Sequence, residues 1–149
     1  MRHRATLVGA LLLSMFTAGV HAQTAEVRVT DPRRDDRIGR EMTVKGTVTK
    51  PPGHHVWVVA RRHDFAPLFW PQREANLEGD GRTWSATAAF GGPQDVGWEF
   101  DVGAIVVDGT GHDRLNDYWV KAMSSGDWRP IPLPRSAAEH IVRVRKNRH

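Results

Sequence analysis

Residues 54–72 read HHVWVVARRHDFAPLFWPQ, and the fold turns on how that stretch is divided. Its first half, His55-Val56-Trp57-Val58-Val59-Ala60, is a short apolar run rich in β-branched residues. Pro51-Pro52-Gly53 precedes it and Arg61-Arg62-His63-Asp64 follows it. A run of this length, punctuated at both ends, is a strand covered on both faces rather than a helix. Pro51-Pro52-Gly53 makes the turn into it, because proline fixes φ and glycine admits positive φ. Val56, Val58 and Ala60 share one face; His55, Trp57 and Val59 share the other. A large indole in mid-strand is expected to fill the core of a sandwich. The second half, with Pro67 and Pro71 around Leu68-Phe69-Trp70, reads as an aromatic loop.

Outward from there the chain alternates. Glu26-Val27-Arg28-Val29-Thr30 is a half-buried strand ended by Asp31-Pro32. Residues 42–48 alternate with Met42, Val44 and Val48 inward, provided Gly46 is a bulge or a point of close approach. Residues 75–78 form a short strand, Gly79-Asp80-Gly81-Arg82 a hairpin turn, and residues 83–90 the returning strand, with Trp84, Ala86, Ala88 and Phe90 on one face. Residues 97–108, GWEFDVGAIVVD, are the longest strand. Trp98, Phe100, Val102, Ala104 and Val106 face inward there, and the second face also turns apolar at Ile105 and Val107. Leu115, Trp119 and Ala122-Met123 recur at helical spacing, which predicts an amphipathic helix over 113–125 stopped by Gly126. Asp108-Gly109-Thr110-Gly111-His112-Asp113 reads as a tight turn plus helix N-cap; a calcium loop needs more oxygen ligands at alternate positions. Pro130, Pro132 and Pro134 mark an extended connection. A last strand over 140–146 points Val142 and Val144 in, Arg143 and Arg145 out.

About seven strands with turns between them and one short helix before the last predict an all-β sandwich. An OB-like barrel is the alternative. The residues that carry a family likeness are 42–48 with Gly46, His55-Val56-Trp57-Val58-Val59, Trp70-Pro71-Gln72, Gly81 with Trp84, 97–108, and Pro132-Leu133-Pro134. In that order the chain resembles the small Ig-like domains of exported bacterial proteins of unknown role. The resemblance implies an Ig-like β-sandwich and a binding, adhesive or spacer role, and it implies no catalytic residues.

Residues 1–22 read as a signal peptide, with Arg2 and Arg4 before an apolar stretch over 7–20 and Val20-His21-Ala22 at the cleavage site. The apolar stretch is short of the roughly 20 residues a span needs. Residues 23–149 are then one domain without a transmembrane span, periplasmic or secreted. Two of the 21 basic residues, Arg2 and Arg4, lie in the leader, so the remainder only slightly exceeds the 17 acidic residues. That balance gives no reason to expect specific nucleic-acid binding. The chain has no cysteine, which excludes disulfides, thiol nucleophiles and cysteine-based zinc sites.

No enzymatic motif emerges. Ser85, Ser124, Ser125 and Ser136 sit in no G-x-S-x-G elbow. Glu99 and Asp101 share a strand face about 6–7 Å apart by strand rise, a spacing that overlaps glycosidase geometry, but a solvated β face gives the same pattern. His54, His55 and His63 are candidate metal ligands. Yet adjacent strand histidines face opposite ways and no H-x-x-x-H spacing occurs, so no metal site and no cofactor is expected. Trp57, Trp84 and Trp98 are assigned to the core and Trp119 to the helix. Phe69, Trp70 and Trp128 lie in proline-bounded loops, unexplained by periodicity, and are the candidate ligand-binding aromatics. Arg61, Arg62, Arg143 and Arg145 are the candidate patch for an anionic partner. The expected function is a non-enzymatic binding domain of the bacterial envelope, for a protein or an envelope polymer. Carbohydrate binding through the loop aromatics is the alternative and a small secreted hydrolase the third reading.

Overall fold

The computed structural model describes residues 23–147; the signal-peptide reading over 1–22 lies outside the described residues. Nine strands form: β1 (Glu26–Asp31), β2 (Arg37–Ile38), β3 (Glu41–Thr49), β4 (His55–Arg62), β5 (Trp70–Glu74), β6 (Asn76–Leu77), β7 (Thr83–Ala89), β8 (Glu99–Val107) and β9 (Ala138–Lys146). Among the described residues one α-helix, α1 (Gly109–Ser125), stands before the last strand. The strands divide into two sheets, ordered β1-β3-β7-β6 and β2-β9-β8-β4-β5. The second sheet curls into a half-barrel. Every pairing is antiparallel except β2 with β9.

The four-stranded sheet follows its sequence alternation. In β7, and in β3 from Val44 onward, every second residue is buried and the intervening residues are exposed or half-buried. Trp84 is the keystone of the core between the sheets. It packs with Val44, Val58, Phe90 and Phe100, and its Nε1–H donates to the Thr47 carbonyl at 3.0 Å. Gly46 is the expected close approach: a Cβ there would lie 2.3 Å from the Trp84 ring and 1.9 Å from the Arg28 carbonyl.

The five-stranded sheet is covered on both faces, and the middle strands β4 and β8 are buried almost throughout. Val56, Val58 and Ala60 face the first sheet. Trp57, Val59, Ile105 and Val107 face the other way, into a second core with Phe69 and Leu115 of α1. Trp57 is therefore buried as expected, but beneath the helix rather than between the sheets. α1 begins four residues before its expected start. The Asp108 side chain accepts from the Gly111 N–H at 2.8 Å as the N-cap, and Gly126 closes the helix at φ 73°.

Three assignments are corrected. Trp98 is not a core residue: it precedes β8, is 45% exposed, and lies under the Arg62 guanidinium at 4.3 Å. The turn at Pro93–Asp95, continued by Gly97 at φ 88°, lifts it off the end of the core. The aromatic loop ends sooner than expected: Trp70 and Pro71 already belong to an edge strand, residues 70–74. β5 tolerates Pro71 because it has a single partner and its register slips between Val58 and Val59. Residues 33–40, a charged run that reads from sequence as a connection, contain a two-residue strand, β2, which pairs with Arg145 and Lys146.

Candidate functional site

Three side-chain constellations lie around the five-stranded sheet. The first is a groove of about 590 Å³ at the β5 edge. Phe65, Trp70, Trp119 and Trp128 supply its aromatic wall; Arg62, Gln72, Gln94 and Asp95 supply its polar groups. The four aromatics come from four different segments. The Trp70 Nε1–H donates to the Trp128 carbonyl at 2.7 Å and so ties the segment after α1 to β5. The Trp119 Nε1–H donates to the Pro71 carbonyl at 3.2 Å, and its ring meets Trp128 edge-on at 5.1 Å. Phe65, in a single 3-10 turn after β4, meets Trp70 edge-on at 5.0 Å. The polar end is held by Arg62, which donates to Asp64 at 2.7 Å and to Asp95 at 2.8 Å. Those hydrogen bonds raise the Arg62 pKa further, against the lowering effect of desolvation. The Gln72 amide donates to the Trp70 carbonyl and accepts from the Ala89 N–H, which spans the two sheets.

Of the three aromatics singled out from sequence, Trp70 and Trp128 meet in this groove and Phe69 does not. Phe69 is buried in the second core, bridged to Ile131 by paired backbone hydrogen bonds and covered by the Arg61 guanidinium 4.0 Å above its ring. Phe65 and Trp119 complete the aromatic wall without having been singled out. The proline-free 3-10 turn at Phe65 carried no signal, and the helical periodicity accounted for Trp119.

The second constellation gathers three of the four arginines expected to meet an anionic partner, Arg61, Arg143 and Arg145, and pairs them with Asp101 and Glu99; Arg62 lies in the groove. Antiparallel register sets Arg61, Asp101 and Arg143 in one row across β4, β8 and β9, with Glu99 opposite Arg145 in the next. Asp101, with its side chain 4% exposed, accepts from Arg61 at 2.9 Å, from Arg143 at 3.1 Å and from the His63 ring at 2.9 Å. Burial pushes its carboxyl upward. The hydrogen bonds from His63, Arg61 and Arg143 outweigh that push and hold it below the ordinary carboxylate range. Arg145 reaches Glu99 at 3.4 Å and Arg62 is spent on Asp64 and Asp95. Asp101 is thus a structural anion at neutral pH, while Glu99 beside it is partly exposed.

The third constellation is His55, Glu74 and His112, at the opposite end of the helix-covered face; these are residues able to hold a metal ion. A cleft of about 1070 Å³ opens nearby, between α1 and the first sheet, lined by Trp57, Glu74, Trp119, Val120 and Met123. Val120 and Met123 are exposed on its helix wall. No helix among the described residues is long and apolar enough to cross a membrane. Neither a family model nor a curated protein matches the chain.

Proposed function

We propose that this chain is an Ig-like, non-enzymatic binding domain of the bacterial envelope, periplasmic or secreted, that takes a polysaccharide segment in the aromatic groove. The Ig-like assignment rests on strand order. Labelled A, A′, B, C, C′, D, E, F and G in chain order, the strands form A-B-E-D and A′-G-F-C-C′ sheets with a parallel A′–G pair, the plan of Ig sandwiches. In this reading α1 is an elaboration of the F–G connection. It lies over a sheet face that the common plan leaves open.

The observation that carries the binding reading is the groove itself. Its volume falls in the range of ligand sites, and it sets Trp70 and the 41%-exposed Trp128 beside two side-chain amides, a carboxylate and a guanidinium. Flat apolar rings flanked by hydrogen-bonding groups suit a sugar, whose C–H faces stack while its hydroxyls need donors and acceptors. A second reading, a protein partner on α1, rests on Val120 and Met123, 59% and 64% exposed.

Calorimetric titration with soluble cell-wall glycan fragments and other polysaccharides tests the first reading. One glycan class is expected to bind, and Trp128→Ala to weaken it at least tenfold, about 1.4 kcal/mol. Binding unchanged in Trp128→Ala, or no binding by any glycan, overturns it. Loss of glycan binding in a Val120→Asp, Met123→Asp double variant with Trp128 intact would move the site to the helix cleft.

A further inference from the structure

We propose that His55, Glu74 and His112 form a binding site for a divalent transition-metal ion of the zinc class. Three elements deliver the donors to one point on the outer face of the five-stranded sheet. His55 opens β4 and lies opposite Val107, the last residue of β8. The chain turns there through Asp108 into α1, so the first turn of the helix brings His112 back over His55. Glu74 ends β5 opposite Trp57, on the same face as both histidines. His55 Nδ1 is 2.6 Å from Glu74 Oε1, and His112 Nδ1 is 3.9 Å from Glu74 Oε2. One ligand atom from each residue lies within 4.8 Å of the others.

Metal–ligand bonds of about 2.0–2.2 Å at a tetrahedral centre set donor atoms roughly 3.3 Å apart. The observed separations straddle that value, so small side-chain rotations close the set around an ion. Two imidazoles and a carboxylate are borderline donors suited to zinc, copper or nickel, and three protein ligands leave a coordination position open. The side chains of His55, Glu74 and His112 are 31%, 44% and 21% exposed, so an ion reaches them directly from solvent. The two imidazole rings are stacked at 3.8 Å and 16°. To put both in-plane lone pairs on one ion the rings must turn out of this stack, and His112 must give up the hydrogen bond that its Nδ1 accepts from Trp57. The His55–Glu74 hydrogen bond is given up as the ion binds.

Trp57 gives the site its own reporter. Its Nε1–H donates to His112 Nδ1 at 3.1 Å and fixes the ring. An ion taken at Nδ1 removes that acceptor, so the Trp57 indole N–H resonance must move. The interaction does not depend on the aromatic groove, and Trp128→Ala should leave it intact.

The test is titration of tag-free, chelator-stripped protein with Zn²⁺, followed by calorimetry and by the indole N–H resonances. Saturable one-to-one uptake is expected, with a dissociation constant in the low micromolar range or below. A melting midpoint higher by on the order of 8 °C is expected at a hundredfold excess over that constant. His55→Asn and His112→Asn should weaken uptake at least thirtyfold, Glu74→Gln at least tenfold, and His63→Asn not at all. Circular dichroism checks that each variant is folded. Absence of saturable uptake, uptake undiminished in folded His55→Asn and His112→Asn proteins, or an unmoved Trp57 resonance on saturation would each overturn the site.

Discussion

The two sheets bury similar residues under different rules. In the four-stranded sheet β1, β3 and β7 each have one dry face and one wet face, and the sequence alternates to match. In the five-stranded sheet the middle strands are dry on both faces, one against the first sheet and one against α1. Trp84 and Trp57 make the contrast concrete. Both lie in strands and are almost wholly buried, but Trp84 joins the sheets while Trp57 seats the helix. Alternation tells which way a side chain points only when the other way is water.

The sharpest test of that contrast is removal of its two anchors. Trp84→Ala empties the centre of the inter-sheet core and strands the Thr47 carbonyl, and it should cost about 3–5 kcal/mol. Urea unfolding should show one earlier transition in which both sheets melt together. Leu115→Ala removes the fully buried side chain by which α1 rests on Trp57, Val59 and Ile105. It should cost about 2–4 kcal/mol. Its signature in native-state hydrogen exchange differs: α1 should lose protection more than β3 and β7, because the helix can lift while the inter-sheet core stays closed. Equal loss of protection in α1 and β7 would mean that the two cores are one cooperative unit.

What the sequence disclosed divides along the same line. Alternation located β1, β3, β7 and β9, and the Gly79–Arg82 turn and the Gly126 stop were legible from local chemistry; a cap within 108–113 was legible too, but not that Asp108 is the residue that caps. Residues 70–74 were hidden because Pro67 and Pro71 signal a loop, whereas an edge strand has an unpaired side that accepts proline. β2 consists of two residues whose partner lies more than a hundred positions away, so no local pattern encodes it. The site was legible as residue types and illegible as geometry. Trp70 and Trp128 stood out because no period explained them, yet Phe69 stood out equally and proved to be sealed by Ile131 and Arg61. The arginine patch was visible as a run of charge; its neutralisation depends on cross-strand register, which sets Asp101 between Arg61 and Arg143. His55, Glu74 and His112 are far apart in sequence and obey no ligand spacing.

The same outer face of the five-stranded sheet is apolar under α1 and ionic beyond it, and Asp101 marks the ionic part. Asp101→Asn should cost about 2–3 kcal/mol at neutral pH, because it leaves Arg61, Arg143 and His63 facing a neutral amide. The carboxyl titrates below its ordinary value in the folded protein, since hydrogen bonds from the three partners outweigh burial. Its contribution is therefore fully present above the unfolded-state pKa, about 3.9, and is lost as pH falls through the lower folded value. Denaturation midpoints measured from pH 7 down to pH 2 should show the wild-type advantage over Asp101→Asn shrinking in the acid limb. A constant difference across that range would mean that Asp101 contributes by shape rather than by charge.

The smallest effect expected lies at the junction of the two regimes, where β8 leaves the buried sheet and α1 begins. Asp108 accepts from the Gly111 N–H at 2.8 Å, and Gly111 packs so close to Val107 that a Cβ would lie 2.8 Å from that side chain. The cap therefore fixes where the helix starts relative to the strand, and with it the height of His112 above His55. Asp108→Ala should cost only about 1 kcal/mol of stability, the ordinary value of an N-cap. Its larger consequence should be positional. Fraying the first turn displaces His112, so the Trp57 indole N–H should lose its acceptor and exchange faster with solvent, while Leu115 keeps the rest of the helix seated. If the Trp57 N–H stays protected in Asp108→Ala, the stacked histidines rather than the cap hold that first turn in place.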